Sequence, residues 1–273
     1  MIYDCFTFLN ENALLEIRLN TLRDIVDKFV IVEANKTFVG EYKPKLCDEI
    51  LWQDFADKVL YVYLEDMPEF SNPWAYENYQ RNYILDILKT QNCSDEDIII
   101  VSDLDEIPSV EGILEYQKEP EGIKALSQNF YNYYLNLLNC SESPWWKAKI
   151  FQYKEFFNKD NEGSFLNDDA FIQEVNKGVT PTSIRLPVHK EIKNGGWHFS
   201  YMGGAERIKY KIENFAHQEF NLPHITDLKL IENCLENNKD VLGRDLRFRK
   251  VEFDDSFPPY LIQNIDKFKD LIL

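Results

Sequence analysis

The chain has 273 residues, 44% hydrophobic and 14% aromatic, a composition typical of globular proteins large enough to bury a substantial core. Its formal net charge of −17 excludes non-specific nucleic-acid binding, which needs a basic footprint, and docking on anionic membrane by charge alone. So acidic a protein holds a phosphorylated ligand only by local neutralisation, with a divalent cation or a few well-placed Arg and Lys side chains.

In chain order, the pattern of apolar residues predicts a strand over 2–9 and a helix over 11–22 with Leu15, Leu19 and Leu22 on one face. A strand over 29–34 follows, carrying Glu33 near its end, and then a strand over 59–64. A helix over 74–88 turns Ile84, Ile87 and Leu88 inward and leads to a strand over 98–102. Strand, helix, strand, helix, strand is the doubly wound α/β pattern, and it spans residues 1–110. Beyond it, residues 129–139 alternate aromatics with asparagines as in a mixed or antiparallel strand, and 145–151 reads as another strand. Residues 194–204 form a strand bracketed by glycine pairs, 205–220 a helix with Ile208, Ile212 and Phe215 on one face, and 258–273 a closing helix.

The most informative stretch is Ile98-Ile99-Ile100-Val101-Ser102-Asp103-Leu104-Asp105-Glu106-Ile107-Pro108. An unbroken apolar run marks a strand buried on both faces, and its carboxyl end is where open α/β sheets bind ligands. Asp103 and Asp105, two apart in extended chain, are expected to project to one side, and Pro108 to turn the chain away. Two carboxylates so close repel unless a cation or proton lies between them, so the pair reads as a metal site for a phosphorylated ligand. A solvated acidic turn or a helix cap is the alternative. There is no G-x-G-x-x-G after the first strand, no Walker A sequence and no G-x-S-x-G elbow. That leaves carboxylate plus cation as the route to a phosphate.

Cys5, Cys47, Cys93, Cys140 and Cys234 are scattered without paired spacing, which suggests free thiols in a reducing compartment. With no signal-peptide pattern and no apolar stretch long enough to span a membrane, the expected location is cytoplasmic. The sequence does not fix the oligomeric state.

Five segments taken in order carry a family resemblance: Tyr3-Asp4-Cys5-Phe6-Thr7-Phe8 with Asn10-Glu11, Phe29 to Ala34, Tyr79-Gln80-Arg81-Asn82, Ser102 to Pro108, and Gly195-Gly196-Trp197-His198. Together they resemble glycosyltransferase family 17, over nearly the whole chain. The resemblance implies a GT-A-like single domain over 1–273, with a mostly parallel central sheet flanked by helices. Residues 1–110 would form its nucleotide-sugar-binding half, and 111–273 a mixed half for acceptor and catalysis. It further implies a UDP-sugar donor, UDP-GlcNAc by expectation, a glycan acceptor, Mn²⁺ or Mg²⁺, and inversion at the anomeric carbon. Unlike the eukaryotic members, the chain is expected to carry no membrane anchor before the first strand.

Within that frame Asp105 is the candidate metal ligand, with Asp103 acting through water or on the donor's ribose, and His198 a further ligand or a core histidine. Arg81, four residues after Glu77, pairs with it or is oriented by it toward a diphosphate. Phe8 and Glu33 are placed to meet a nucleoside, as a stacking ring and a hydrogen-bond acceptor. Inversion needs a base for the acceptor hydroxyl, for which Glu206 is the first candidate and Glu111, Asp168 and Asp169 the others. Arg207 and Lys211, on the same helix, read as a solvated face, with contact to the diphosphate as the alternative. Phe130 to Asn136 with Trp145 and Trp146 form the expected acceptor cleft. A metal-dependent phosphohydrolase or nucleotidyltransferase, and a non-catalytic carbohydrate-binding protein, are the alternative functions.

Overall fold

The computed structural model describes residues 1–158, 179–185 and 190–273. Asp168 and Asp169 lie outside the described residues.

Strand β1 (Ile2–Phe8) forms the spine of a ten-stranded sheet. It pairs in parallel with β2 (Lys28–Ala34) on one side and β4 (Ile98–Asp103) on the other, and β2 pairs in parallel with β3 (Val59–Leu64). Beyond β4 the sheet turns mixed. β8 (Lys149–Gln152) joins β4 antiparallel, then β6 (Lys124–Asn132), β7 (Leu137–Asn139) and β10 (Phe248–Lys250) follow, each antiparallel to the last. β9 (Lys190–Ser200) runs parallel to β6, and β5 (Glu106–Pro108) caps it antiparallel.

Alternation along the parallel strands divides the core. Ile2, Phe6, Ile98 and Ile100 face α1 (Asn12–Leu22), whereas Tyr3, Cys5, Ile99 and Val101 face α2 (Pro73–Thr90). Both faces are covered, which is why the 98–102 run is continuously apolar. Asn72 starts α2 by accepting a hydrogen bond from the Trp74 amide, with Pro73 in the first turn where its missing N–H costs nothing.

Four shorter elements were not expected from the sequence. Pro108 ends β5 instead of turning the chain away, and Ser109 then caps α3 (Val110–Lys118) through the Gly112 amide. A five-residue helix, α4 (Pro181–Arg185), lies against α2, and α6 (Leu228–Glu236) packs on α5 (Gly204–Asn214). The expected 258–273 helix is α7 (Pro259–Gln263) followed by a 3₁₀ segment.

The glycine pair of β9 has a steric cause. Gly196 has φ +136°, and a Cβ there would stand 2.1 Å from the Ile107 carbonyl oxygen. A Cβ on Gly195 would meet the Leu126 backbone at 2.7 Å. Only glycine lets β9 pass this closely between β5 and β6, and that passage delivers His198 opposite Glu106 and Phe130.

Candidate active site

β1 leads to β2 on one side and lies beside β4 on the other, so a topological switch point falls between β1 and β4. The crevice outside the carboxyl ends of such strands is the usual ligand position. Thr7 lies opposite Asp103 across this pair. A cleft of about 500 Å³ opens there, bordered by Thr7 and Phe8 of β1, Arg81 of α2, Asp103, Asp105, His198 of β9 and Lys211 of α5.

The two aspartates do not share one partner. β4 ends at Asp103 and the chain turns at Leu104 and Asp105, so the extended geometry expected for the pair does not hold. Asp103 Oδ1 accepts from Arg81 at 2.9 Å and from Arg185 at 2.6 Å, while its Oδ2 accepts from Arg185 at 2.9 Å. Burial opposes ionisation of Asp103, but the charges of Arg185 and Arg81 outweigh it and hold the carboxyl well below the ordinary range. Both oxygens are thus engaged by guanidinium groups, which sets Asp103, expected to touch metal or ribose, in an arginine cluster at the cleft edge. Glu106 completes this cluster. It accepts from Arg185 at 2.8 Å, from the Trp145 indole at 2.6 Å and from the Asp103 amide at 2.9 Å.

Asp105 faces elsewhere. Its Oδ2 is 2.8 Å from the Lys211 ammonium, and its Oδ1 is 3.6 Å from His198 Nε2. Burial again opposes the charge, and Lys211 with His198 reverses the sign, so the Asp105 carboxyl is also held well down. The His198 ring stacks on Phe130 with centroids 4.3 Å apart and planes at 11°, and Trp145 closes its other flank at 4.7 Å.

Beneath the loop lies Arg18, fully buried on α1. Its guanidinium forks onto Asp4 at 2.8 and 2.5 Å and reaches Ser102 Oγ at 2.6 Å. The remaining nitrogen donates to the carbonyls of Asp103, Leu104 and Glu106, at 2.7, 3.1 and 3.2 Å. One side chain therefore fixes the backbone that presents both aspartates.

Several expected residues are placed otherwise. Glu33 is fully buried and accepts from the Leu46 and Cys47 amides, the Tyr61 hydroxyl and Lys43, so it anchors the 43–47 segment and has no role open toward a nucleoside. Phe8 is 1% exposed and leaves no ring face on which a base could stack. Glu206 is exposed and does not border the cleft, and Arg207 on the same helix bonds to the Asn10 carbonyl. Glu111 is exposed on α3 beside a different groove. Most of the Phe130–Asn136 segment is buried, Phe130 and Trp145 border the cleft, and Trp146 lies on the surface. Arg81 does pair with Glu77, at 2.6 Å, and borders the cleft as well.

Other residues enter that sequence reasoning did not select. Among the described residues the cleft carries six carboxylates, Glu11, Glu77, Asp103, Asp105, Glu142 and Glu219, against three fixed cations, Arg81, Lys211 and Arg244. His217 also borders it, with Nδ1 2.7 Å from Glu219 and its ring edge-on to Trp74 at 4.5 Å. His217 and Glu219 stand two positions apart with only Gln218 between them, which was the available signal. Nothing local marked Arg18 or Arg185. Among the described residues, no group of three or more His, Cys, Asp or Glu side chains stands ready to enclose a metal, and no helix is long and apolar enough to cross a membrane.

The family model described as Glycosyltransferase family 17 matches residues 1–170. The beta-1,4-mannosyl-glycoprotein 4-beta-N-acetylglucosaminyltransferases of Rattus norvegicus, Mus musculus and Homo sapiens are each 23% identical to this chain over 294 residues, covering 96% of it and 53% of their own length. The chain thus spans about half the length of the curated relatives it matches. Among solved structures, glucosyl-3-phosphoglycerate synthase from Mycobacterium tuberculosis, in complex with Mn²⁺, UDP-glucose and phosphoglyceric acid, has a TM-score of 0.27 and 16% identity, over 48% of this chain and 44% of that one.

Proposed function

The chain belongs to glycosyltransferase family 17, and on that premise we propose that it moves a sugar from a UDP-sugar donor to a hydroxyl of a glycan acceptor, with inversion at the anomeric carbon. GlcNAc is the sugar in this reading, after the names of the relatives. The observation that carries it is the cleft at the β1–β4 switch point, where Asp105 and His198 stand 3.6 Å apart on one wall. The first half of the chain supplies Asp105 and Arg81 and the second supplies His198 and Lys211, so one domain over 1–273 is the functional unit.

Asp105 and His198 fit a Mn²⁺ or Mg²⁺ ion. Such ions are commonly held by one or two protein ligands together with substrate phosphates, so an all-protein cage is not required. The charge balance supports the same reading, since a wall with twice as many carboxylates as fixed cations repels a bare diphosphate. A bound divalent ion would supply charge that offsets what develops on the departing UDP.

The chain's own groups do the rest. Glu77 and Asp103 hold Arg81 from two sides, which orients its guanidinium at the cleft edge. Phe130 and Trp145 fix the His198 ring. Glu206 stands outside the cleft, and the role of base passes to His217. Its Nδ1 is 2.7 Å from Glu219, the arrangement in which a carboxylate orients an imidazole so that its other nitrogen accepts a proton. Glu142 suits the role less well, because Arg244 bonds to both of its oxygens and occupies them. His217→Gln is expected to lower kcat by about 10²–10⁴-fold with little change in KM. Its ring is exposed, so the melting temperature should stay within a degree or so. Steady-state kinetics beside calorimetry checks both.

The test of the function itself is a panel of UDP-sugars incubated with the protein and Mn²⁺, with products followed by mass spectrometry. Slow release of UDP from UDP-GlcNAc without acceptor, and transfer when a mannose-containing glycan is added, are expected. Turnover of no UDP-sugar under either condition would overturn the assignment.

A further inference from the structure

Lys211 differs from the other cations of the cleft in its commitments. Arg81 is shared between Glu77 and Asp103, and Arg244 between Asp240 and Glu142. Among the described residues Lys211 makes a single ion pair, 2.8 Å to Asp105, and its ammonium lies 5.3 Å from the centre of the Tyr201 ring. Its side chain is 24% exposed against 8% for Asp105, so the ammonium lies on the open side of the carboxylate. Ile208 and Ile212 bury the inner face of α5 and fix the backbone at 211. The side chain itself is a four-carbon stem ending in a compact charge with three rotatable donors, suited to changing partners.

These placements create a conflict at Asp105. The carboxylate that pairs with His198 to fit a divalent ion is the one that Lys211 occupies. An ion binding alone beside Oδ1 and His198 meets the repulsion of the Lys211 ammonium on Oδ2 of the same carboxylate. An ion arriving with a diphosphate meets no such penalty, because phosphate oxygens accept the released lysine. We infer that Lys211 is a ligand for the donor's diphosphate, which it takes up on giving Asp105 over to a divalent cation. The inference rests on the UDP-sugar reading above and adds the residue that makes cation and nucleotide bind as a pair. By linkage each then raises the affinity of the other by the same factor. Lys211 opposes the cation on its own and favours the cation with its nucleotide.

The experiment needs no turnover. Mn²⁺ binding is followed by electron paramagnetic resonance, and UDP binding by calorimetry at saturating Mn²⁺, for the wild-type protein and Lys211→Met. Mn²⁺ alone is expected to bind Lys211→Met about tenfold tighter than wild type, and UDP about tenfold weaker, the size of effect that a charge-assisted hydrogen bond carries. Lys211→Arg, which keeps the charge, should hold UDP within about threefold of wild type. Adding Asp105→Asn to Lys211→Met should remove the gained Mn²⁺ affinity. Should Lys211→Met fail to fold by circular dichroism, Lys211→Gln carries the same two measurements. Unchanged Mn²⁺ affinity in these variants, or unchanged UDP affinity, overturns the inference. Failure of wild type to bind UDP with or without Mn²⁺ overturns the donor reading instead, so the two failures are told apart in the wild-type arm.

Discussion

Asp105→Asn should cut sugar transfer by about 10²–10³-fold or more, the cost of removing one preorganised charge from a site where charge develops. The fold should survive this change. The Asp105 carbonyl still accepts from the Phe199 amide at 2.8 Å, the carboxamide fills the same space, and Lys211 can turn its ammonium to water. Asp103→Asn makes the contrast. It leaves Arg81 and Arg185, both largely buried, without the anion they share, so it should lower the melting temperature as well as activity. Calorimetric melts beside UDP-release assays on the two variants separate a chemical role from an anchoring one. Full transfer by Asp105→Asn would remove the physical basis of the site. Equal losses of stability in the two variants would show that both aspartates are anchors.

The contrast also marks what the sequence discloses. The Ile98–Val101 run and its acidic end locate the carboxyl edge of the sheet, because burial on both faces leaves a signature in consecutive residues. Gly195-Gly196 before His198 is similarly local, since a close backbone approach demands glycine at the point of contact. Which cation meets which aspartate is not local. Arg185 reaches Asp103 across 82 residues of chain, and Lys211 reaches Asp105 across 106. Glu206 and Lys211 show the difficulty within one helix. At about 100° per residue, five positions separate them by roughly 140°, so only one can face the cleft. The apolar face of Ile208, Ile212 and Phe215 turns Glu206 outward, but which polar position beside that face meets the cleft is decided by distant chain. α3 escaped notice because few of its residues are buried, among them Ile113 and Tyr116, too few for a clear period.

Arg18→Met should be the most destabilising single change in the molecule, at about 3–5 kcal/mol, because it leaves Asp4 as an uncompensated charge in the core. The pair is completely buried, and Arg18 also covers the Phe6 ring at 4.1 Å, so neither partner can relax toward water. Urea denaturation measures the loss. A second substitution then separates two jobs. Asp4→Leu combined with Arg18→Met removes both charges, and replacing a buried pair by apolar side chains commonly restores most of the stability. It does not restore the donor that the Asp103, Leu104 and Glu106 carbonyls shared. The double variant should therefore regain much of its unfolding free energy yet bind UDP about tenfold more weakly than wild type, because the loop presenting Asp105 has lost its clamp. If UDP affinity instead recovers in step with stability, Arg18 serves only the core, and the turn at Leu104 and Asp105 holds its shape through the β5–β9 pairing alone.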